Sequence, residues 1–389
     1  MAGNPFASLL EPLFARARAR DLWRRREIRT SPQAPVIEVG HETLLSFASN
    51  DYLGLASDPG VVAALCAGAR RYGAGAGASH LLGGHTSAHH ELEDALAAFT
   101  GAPRALLFST GYMANLALLT TLCPRHGGVF EDRRNHASLL DAASLAHARR
   151  HRYRDMGALR AALAAAGPGG LIVSDGVFSM DGDMADAPAL LALAQAHGAG
   201  LILDDAHAFG VVGPSGRGTP AAHGLSYDPT LIHMGTLGKA FGVFGAFVAA
   251  DSDVIEALIQ RARPYIYTTA LPPALATSAK VALDLVIAGD HRRAMLFDRI
   301  RQFREGATAL GLPLLPSSTA IQAVVFGEAS RAIAASAFLR DRGLYVPAIR
   351  PPTVPQGSAR LRVALSAAHG TDDVDRLLEA LATLPRDTT

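Results

Sequence analysis

Short runs of apolar residues alternate with longer segments of helical pattern through the first two thirds of the chain. The apolar runs predict strands at 105–109, 128–131, 171–174, 201–204, 231–235 and 246–250. Alanine-rich segments between them predict helices at 139–150, 158–166 and 187–197, because alanine has the highest intrinsic helix propensity. This alternation is typical of a mostly parallel α/β sheet, in which crossover helices cover the faces.

The pattern changes after Pro272 and Pro273. A long helical segment is followed by strand patterns at 320–326 and 360–365 and by helical patterns at 331–342 and 372–384. The chain of 389 residues is long enough for two hydrophobic cores. We therefore expect an N-terminal helical segment at 1–45, a large domain carrying the sheet at 46–275, and a smaller α+β domain at 276–389.

The N-terminus has an amphipathic pattern that resembles a targeting peptide. Its apolar positions are 6, 9, 10, 13 and 14, and arginines follow at 16, 18, 20, 24, 25 and 26. The acidic residues Glu11 and Asp21 disfavour targeting.

Cys66 and Cys123 have neither disulfide-framework nor metal spacing, which favours a reducing cytoplasm. No stretch approaches the ~20 apolar residues that a membrane span requires.

Composition excludes little beyond this. The chain is 49% hydrophobic and 18% charged, as in a globular enzyme, and its net charge is +1. So small a charge gives no bulk electrostatic reason to expect a nucleic acid as partner.

Three chemically different side chains follow two of the predicted strands. Lys239 lies among small residues just after the strand at 231–235, while Asp204 and His207 end the strand at 201–204. Each alone has an ordinary explanation, since aspartates cap helices and lysines lie on surface loops. Together they match a pyridoxal 5'-phosphate (PLP) site, which needs an amine for a Schiff base, a carboxylate for the pyridine nitrogen and a partner for the 3-oxygen.

Other segments agree with a PLP site without requiring one. Gly111 and Tyr112 lie between a predicted strand and a predicted helix, where free amides and the helix dipole favour a phosphate, and an ordinary capped helix is an equal alternative. His136 could stack on a pyridine ring, although a lone histidine is more often a surface or core residue. Ser179 follows the strand at 171–174 and could bond a ring oxygen.

Three competing sites are disfavoured by their context. The glycine-rich segment 73–77 follows a helical pattern, whereas a nicotinamide fingerprint follows a strand and opens a helix. His85, His89 and His90 lack the HExxH order of a zinc site, so we expect no metal. The acidic residues Asp181 and Asp183 lack the ligand order of an EF-hand.

The motifs together resemble the α-oxoamine synthases, PLP enzymes of fold type I that join an amino acid to an acyl thioester with loss of carbon dioxide. The resemblance covers nearly the whole chain and is carried by segments 49–55, 135–138, 176–182, 204–207, 236–239, 267–269 and 271–273. Segments 348–355 and 359–362 resemble the branch of the family that uses L-alanine and a pimeloyl thioester carried by coenzyme A or an acyl-carrier protein. A different amino acid and thioester, a nicotinamide-dependent dehydrogenase and a non-catalytic PLP-fold protein are the alternatives.

The resemblance implies a role for each site residue. Lys239 carries the cofactor, Asp204 pairs with the pyridine nitrogen, and His136 stacks on the ring. The remaining assignments are His207 and Ser179 at the 3-oxygen, Thr236 at the phosphate, Gly111 and Tyr112 beside the cofactor, Thr268 and Thr269 at the phosphate of a partner subunit in a homodimer, Arg362 at the amino-acid carboxylate, and Arg24 and Thr353 near the acyl substrate.

The chain also departs from the family at two positions. His80 stands where these synthases usually have arginine, and Phe244 stands where a small residue is common after the lysine loop. Both departures bear on the acyl substrate and the cofactor surroundings more than on PLP itself.

Overall fold

The chain divides into two compact units. The structure, a computed structural model, describes residue 4 and residues 6–19, 22–24 and 26–385. The central unit consists of Asn50–Phe297, and the terminal unit consists of the described residues of Met1–Ser49 and Asp298–Thr389. Arg20, Asp21 and Arg25 of the amphipathic N-terminal pattern lie outside the described residues.

The strands are short and distributed over both units. In chain order they are β1 (Val36–Val39), β2 (Glu42–Ser46), β3 (Arg104–Phe108), β4 (Gly128–Asp132), β5 (Arg149–Tyr153), β6 (Leu171–Asp175), β7 (Gly200–Asp204), β8 (Leu231–Thr236), β9 (Ala246–Ala250), β10 (Ile321–Gly327), β11 (Leu344–Tyr345), β12 (Ala348–Ile349) and β13 (Ala359–Ala364).

The helices follow the strands of the central unit and recur at both ends of the chain. They are α1 (Ala7–Ala19), α2 (Pro59–Tyr72), α3 (Ser87–Thr100), α4 (Gly111–Leu122), α5 (Ala137–Leu145), α6 (Met156–Ala166), α7 (Ala187–Ala196), α8 (Thr219–Ala222), α9 (Ser252–Arg261), α10 (Arg263–Ile266), α11 (Pro273–Ile287), α12 (Asp290–Ala309), α13 (Ala329–Arg340) and α14 (Thr371–Ala382). None of these helices is both long and apolar enough to cross a membrane.

A seven-stranded sheet forms the centre of the central unit. Its strand order is β3-β9-β8-β7-β6-β4-β5, and β9 runs antiparallel to both of its neighbours while the other pairs are parallel. Alternate residues of β7 enter different cores, with Ile202 in one apolar cluster and Leu201 and Leu203 in the other. Burial of both faces explains why the strands read as continuous apolar runs. The predicted fold class is confirmed.

The parallel arrangement brings functional strand ends together. In the ladder of β6, β7 and β8, Asp175 pairs with Asp204, and Asp204 pairs with Met234. Carboxyl ends of parallel strands meet at one edge of a sheet, where ligands of α/β proteins bind. The residues that follow β8, including Lys239, therefore begin at the same edge as Asp204.

The terminal unit contains two small sheets. One has the order β1-β2-β11, in which β11 pairs in parallel with β2, and the other has the order β10-β13-β12. The division differs from the predicted one in two ways. The segment 1–45, expected to be helical, contains β1 and most of β2 after α1, and α11 packs on α2 and α3 within the central unit, so residues 276–297 belong there.

Two local predictions were wrong. The helix predicted at 139–150 ends at Leu145 in the structure, where His147 takes a positive φ of 53°, and Arg149–Tyr153 forms the edge strand β5. The long helix predicted after Pro273 is two helices, α11 and α12, separated by Ala288 and Gly289.

Candidate active site

A cavity of about 200 Å³ opens at the carboxyl ends of β6, β7 and β8. It lies entirely within the central unit and collects most of the side chains predicted for the cofactor. Its lining residues are Gly111, Tyr112, His136, Ser138, Asp175, Val177, Ser179, Asp204, Ala206, His207, Met234, Thr236 and Lys239.

Asp204 ends β7 with its carboxylate held by two donors. The side-chain amide of Asn115 donates to Oδ2 over 2.8 Å, and the backbone N–H of Ala206 donates to Oδ1 over 3.0 Å. The neighbouring Asp205 has other partners: Thr219 donates to it through both its backbone N–H and its hydroxyl, and His233 Nε2 lies 2.7 Å away. Asp204 faces the cavity, whereas Asp205 ties the chain to α8 and β8.

His136 lines the cavity as the N-cap of α5. Its Nδ1 lies 2.8 Å from the Ser138 hydroxyl and accepts from the Ser138 backbone N–H. Burial lowers the pKa of His136, the charge of Asp204 opposes that shift, and the charge of Lys239 reinforces it. The cavity therefore holds a neutral imidazole.

Asp175 ends β6 and is buried beside Asp204. Both of its oxygens accept from the backbone N–H of His136, at 3.1 and 3.2 Å, and its own backbone N–H donates to Asn135 Oδ1 over 3.0 Å. Burial raises the pKa of Asp175 well above the usual range, and the charge of Asp204 raises it further. Sequence motifs singled out the loop after this strand but missed Asp175.

Lys239 lies on a tight loop after β8. Thr236 shapes that loop, because its hydroxyl donates to the Gly245 carbonyl over 3.0 Å and accepts from the Gly238 backbone N–H over 3.2 Å. The turn closes when the Gly242 N–H bonds the Lys239 carbonyl, with Gly242 at φ +69°. A Cβ at Gly242 would collide with the backbone of Ala56, so glycine is required there.

His207 is positioned by a residue that sequence reasoning did not assign. Its Nδ1 lies 2.7 Å from the Tyr52 hydroxyl, and Tyr52 is only 1% exposed. Tyr52 belongs to segment 49–55, one of the segments that carry the family resemblance, and its place in that segment was the available signal. Asn115 was also missed, although it is the one amide within the apolar helix α4.

The start of α4 lies at the cavity. Thr110 is its N-cap and accepts from the Met113 N–H over 3.2 Å, as in an ordinary capped helix. Gly111 and Tyr112 follow, and the Tyr112 hydroxyl bonds Asp141. Thr268 and Thr269 come after α10, are half-buried and exposed respectively, and do not line the cavity.

The residues predicted for the substrates belong to the terminal unit. Arg24 is exposed, and Thr353 is exposed in a turn whose N–H bonds the Arg350 carbonyl over 3.1 Å. Arg362 is different, because it lies on β13 opposite Ala323 and is only 5% exposed. A buried arginine needs anionic or carbonyl partners to offset its lost hydration.

Histidines cluster outside the cavity, and one of them is the departure at position 80. Potential ligand atoms of His80, His85 and His89 lie within 4.8 Å of one another. His89 uses both nitrogens, however: Nδ1 accepts from the Thr86 N–H over 3.0 Å, and Nε2 lies 2.6 Å from the Leu271 carbonyl. A metal ion in this triad would have to displace one of these contacts.

His80 itself stacks on Tyr265, with ring centroids 4.8 Å apart. Burial, with the two neighbouring histidines, lowers the pKa of His80 to about 3, so it is a neutral, buried residue at the position where the resemblance leads to an expectation of arginine. Phe244, the other departure, is 44% exposed.

The other competing sites lack the structural context that they need. Segment 73–77 follows α2 rather than a strand, contrary to a dinucleotide fingerprint. Asp181 and Asp183 both face Arg134, with Nη1 to Asp183 at 2.7 Å and to Asp181 at 3.8 Å. The guanidinium offsets the charge that a calcium ion would need.

The chain belongs to the aminotransferase class I and II family, whose sequence model matches residues 42–381. Its fold is also that of serine palmitoyltransferases: one from S. paucimobilis, solved with PLP and myriocin bound, is 30% identical and superposes with a TM-score of 0.92 over 99% of both chains.

More similar sequences carry a narrower name. The 8-amino-7-oxononanoate synthase of Stutzerimonas stutzeri is 55% identical over 95% of this chain and 94% of its own, and that of Pseudomonas aeruginosa is 56% identical over 94% and 92%. The structure of 8-amino-7-oxononanoate synthase from Francisella tularensis is 33% identical, covers 87% of this chain and 97% of its own, and has a TM-score of 0.76. These matches confirm the recognition made from the sequence motifs.

Proposed function

We propose that this protein is a PLP-dependent acyltransferase of biotin biosynthesis. It condenses L-alanine with a pimeloyl thioester of coenzyme A or an acyl-carrier protein, giving 8-amino-7-oxononanoate, carbon dioxide and the free thiol. One observation carries the proposal: Lys239, Asp204 and His136 line a single cavity, in a chain whose synthase relatives match it over 95% of its length.

The donor set of the cavity fits PLP group by group. Lys239 supplies the amine that holds the cofactor, and the chain contains just one other lysine, Lys280, which forms an exposed ion pair with Asp284 on α11. Asp204 supplies the carboxylate for the pyridine nitrogen. The other cofactor residues, by resemblance, are His136 on the ring, His207 and Ser179 at the 3-oxygen, Thr236 at the phosphate, and Gly111 and Tyr112 alongside.

When bound, PLP supplies a protonated pyridine ring that withdraws electrons from the α-carbon of the amino acid. The Asp204 carboxylate would hold the proton on that ring nitrogen. The Lys239 amine would be the base that removes the α-proton of alanine and later returns a proton. The neutral His136 adds an apolar ring face without placing a second positive charge beside the pyridinium.

Three further residues are assigned to the substrates by resemblance. The buried Arg362 suits the alanine carboxylate, because a guanidinium can donate two parallel hydrogen bonds to it. Arg24 and Thr353 are assigned to the acyl substrate, by resemblance alone.

A second candidate keeps the cofactor and changes the substrates. Similarity to serine palmitoyltransferases over 99% of the chain favours an α-oxoamine synthase that uses serine and another thioester. The chain is 55% identical to an 8-amino-7-oxononanoate synthase but only 30% identical to the serine palmitoyltransferase. This difference favours L-alanine and a pimeloyl thioester as the substrates. A cytoplasmic location stays a prediction.

Borohydride reduction tests the cofactor assignment. The protein incubated with PLP is expected to be yellow, and reduction followed by peptide mapping should find the pyridoxyl label on Lys239, since this is the lysine in the cavity. Lys280 is an internal control in the same digest. Label on Lys280 alone, or a colourless protein, would remove the basis for the proposal.

A homodimer with shared sites is part of the proposal. Thr268 and Thr269 do not line the cavity of their own chain, and Tyr267 beside them is 71% exposed, as expected of residues that serve a partner subunit.

Subunit mixing tests this arrangement. A Lys239→Ala subunit and a Thr268→Ala/Thr269→Ala subunit should each be inactive alone. Their heterodimer should regain one working site of two. That site takes its lysine from the threonine-substituted chain and its threonines from the lysine-substituted chain. Activity is measured on purified, differently tagged heterodimers, with each homodimer as control. Heterodimers as inactive as the homodimers would place Thr268 and Thr269 outside the partner's site.

A further inference from the structure

Asn115 connects two residues of the cavity that are far apart in sequence. It lies on α4, is fully buried, and is surrounded along the helix by apolar residues. One side-chain N–H donates to Asp204 Oδ2 and the other donates to Ser138 Oγ, each over 2.8 Å. Both donors of the amide are therefore used within the site.

The orientation of this amide follows from Asp204. An ionised carboxylate only accepts hydrogen bonds. In the opposite orientation the amide oxygen would face the carboxylate, and two hydrogen-bond acceptors would repel each other. The nitrogen of Asn115 must therefore face Asp204.

The same logic fixes the protons at Ser138 and His136. Ser138 Oγ accepts from Asn115 and lies 2.8 Å from His136 Nδ1, to which its hydroxyl can donate its own proton. The Ser138 backbone N–H donates to the same nitrogen over 3.3 Å. Because Nδ1 accepts from both, the proton of a neutral imidazole resides on Nε2.

We propose that Asn115 is a positioning residue whose two N–H groups orient the Asp204 carboxylate and, through Ser138, hold the His136 proton on Nε2. The hydrogen bonds are read from the geometry alone, and their role in holding PLP rests on the proposed function. Asp204 and His136 both line the cavity, so one amide sets the orientation of two groups that would contact PLP.

Two pairs of variants test the chain of hydrogen bonds. Asn115→Leu removes both donors at similar volume, and Ala117→Gly on the same helix weakens packing without altering the hydrogen bonds. Ser138→Ala removes the middle hydroxyl, and Ser138→Thr restores it, which keeps the test valid if Asn115→Leu fails to fold. All are studied as full-length protein loaded with PLP.

The primary readout is the ¹⁵N spectrum of histidine-labelled protein, with His136 assigned by its loss in His136→Gln. Wild type, Ala117→Gly and Ser138→Thr should show an unprotonated Nδ1 and a protonated Nε2 on His136. In Asn115→Leu and Ser138→Ala the two signals should move toward each other, because both tautomers become populated. Turnover of Asn115→Leu should fall roughly 10–100-fold, as for loss of a hydrogen bond to a charged group, with little change in the KM for L-alanine.

Wild-type nitrogen signals in both Asn115→Leu and Ser138→Ala would overturn the inference. So would loss of the tautomer in Ala117→Gly, since packing alone would then explain it. The histidine signals are measured without turnover. Failure of the wild type to condense alanine with pimeloyl thioester would therefore count against the proposed function and not against this chain of hydrogen bonds.

Discussion

Lys239→Ala is expected to lower turnover of L-alanine and pimeloyl thioester by roughly 10⁴-fold or more, equal to about 5.4 kcal/mol of transition-state stabilisation. The amine has two duties in the proposed reaction, holding the cofactor and moving the α-proton. Removing it abolishes both, while the fold is retained because Lys239 is half-buried at a loop. Turnover is measured by thiol release, with thermal unfolding measured in parallel.

Lys280→Ala is the matched control. Lys280 is half-buried and forms an exposed ion pair with Asp284 one helical turn away, an interaction that contributes about 0.3–0.5 kcal/mol. Its turnover should equal that of the wild type. Substantial activity in Lys239→Ala, or its loss in Lys280→Ala, would contradict the assignment of the amine.

Asp204→Asn is expected to reduce kcat by about 10²–10³-fold, about 3–4 kcal/mol, while PLP still binds. A neutral amide cannot hold the pyridine nitrogen protonated. It also disturbs its neighbours, because Asn115 and Ala206 both donate to the carboxylate and an amide can accept on only one side. Either one pair of donors then faces each other or the Asn115 amide turns over and loses its hydrogen bond to Ser138, so stability should fall by about 1–3 kcal/mol as well.

Asp205→Asn separates these two effects. Asp205 is fully buried and accepts from Thr219 and His233, so its replacement should reduce stability at least as much. It does not line the cavity, so kcat should be retained. Denaturant unfolding and steady-state kinetics on both variants provide the comparison. Near-normal kcat in Asp204→Asn with loss in Asp205→Asn would exchange the two roles.

The strand ends explain how much of the site was predictable. Asp204 and Lys239 each follow an apolar run, and parallel pairing of β7 with β8 brings the two loops to one edge. Only the local pattern and a general rule of α/β sheets were needed to place them together. The resemblance then supplied roles that the pattern alone left open, such as that of His136.

Long-range contacts explain what was not predictable. Asn115 bonds Asp204 across 89 residues, and nothing in an apolar helical pattern identifies that partner. The strand β5 carries Arg149, Arg150 and Arg152, and the helix predicted at 139–150 included the first two of them. Its arginines instead reach the fully buried Glu131 of the adjacent strand, with Arg150 at 2.7 Å and Arg152 at 3.5 Å.

The division into units depended on a similar contact. The strand β11 is only two residues long, too short to give a period, yet its parallel pairing with β2 joins residue 344 to residue 45. The N-terminal strands therefore belong with the C-terminal part of the chain, and Tyr345 of β11 packs against the apolar cluster of Ile37, Val39 and Leu44.

Product analysis tests the central claim most directly. The protein with PLP is incubated with L-alanine, glycine or L-serine and with pimeloyl, succinyl, acetyl or palmitoyl thioesters, each carried by coenzyme A, and pimeloyl also by an acyl-carrier protein. Mass spectrometry should find 8-amino-7-oxononanoate from L-alanine and pimeloyl thioester, formed with one carbon dioxide per thiol and faster than any other product by a wide margin. A faster reaction with glycine or serine, or with another acyl group, would contradict the assignment to biotin biosynthesis.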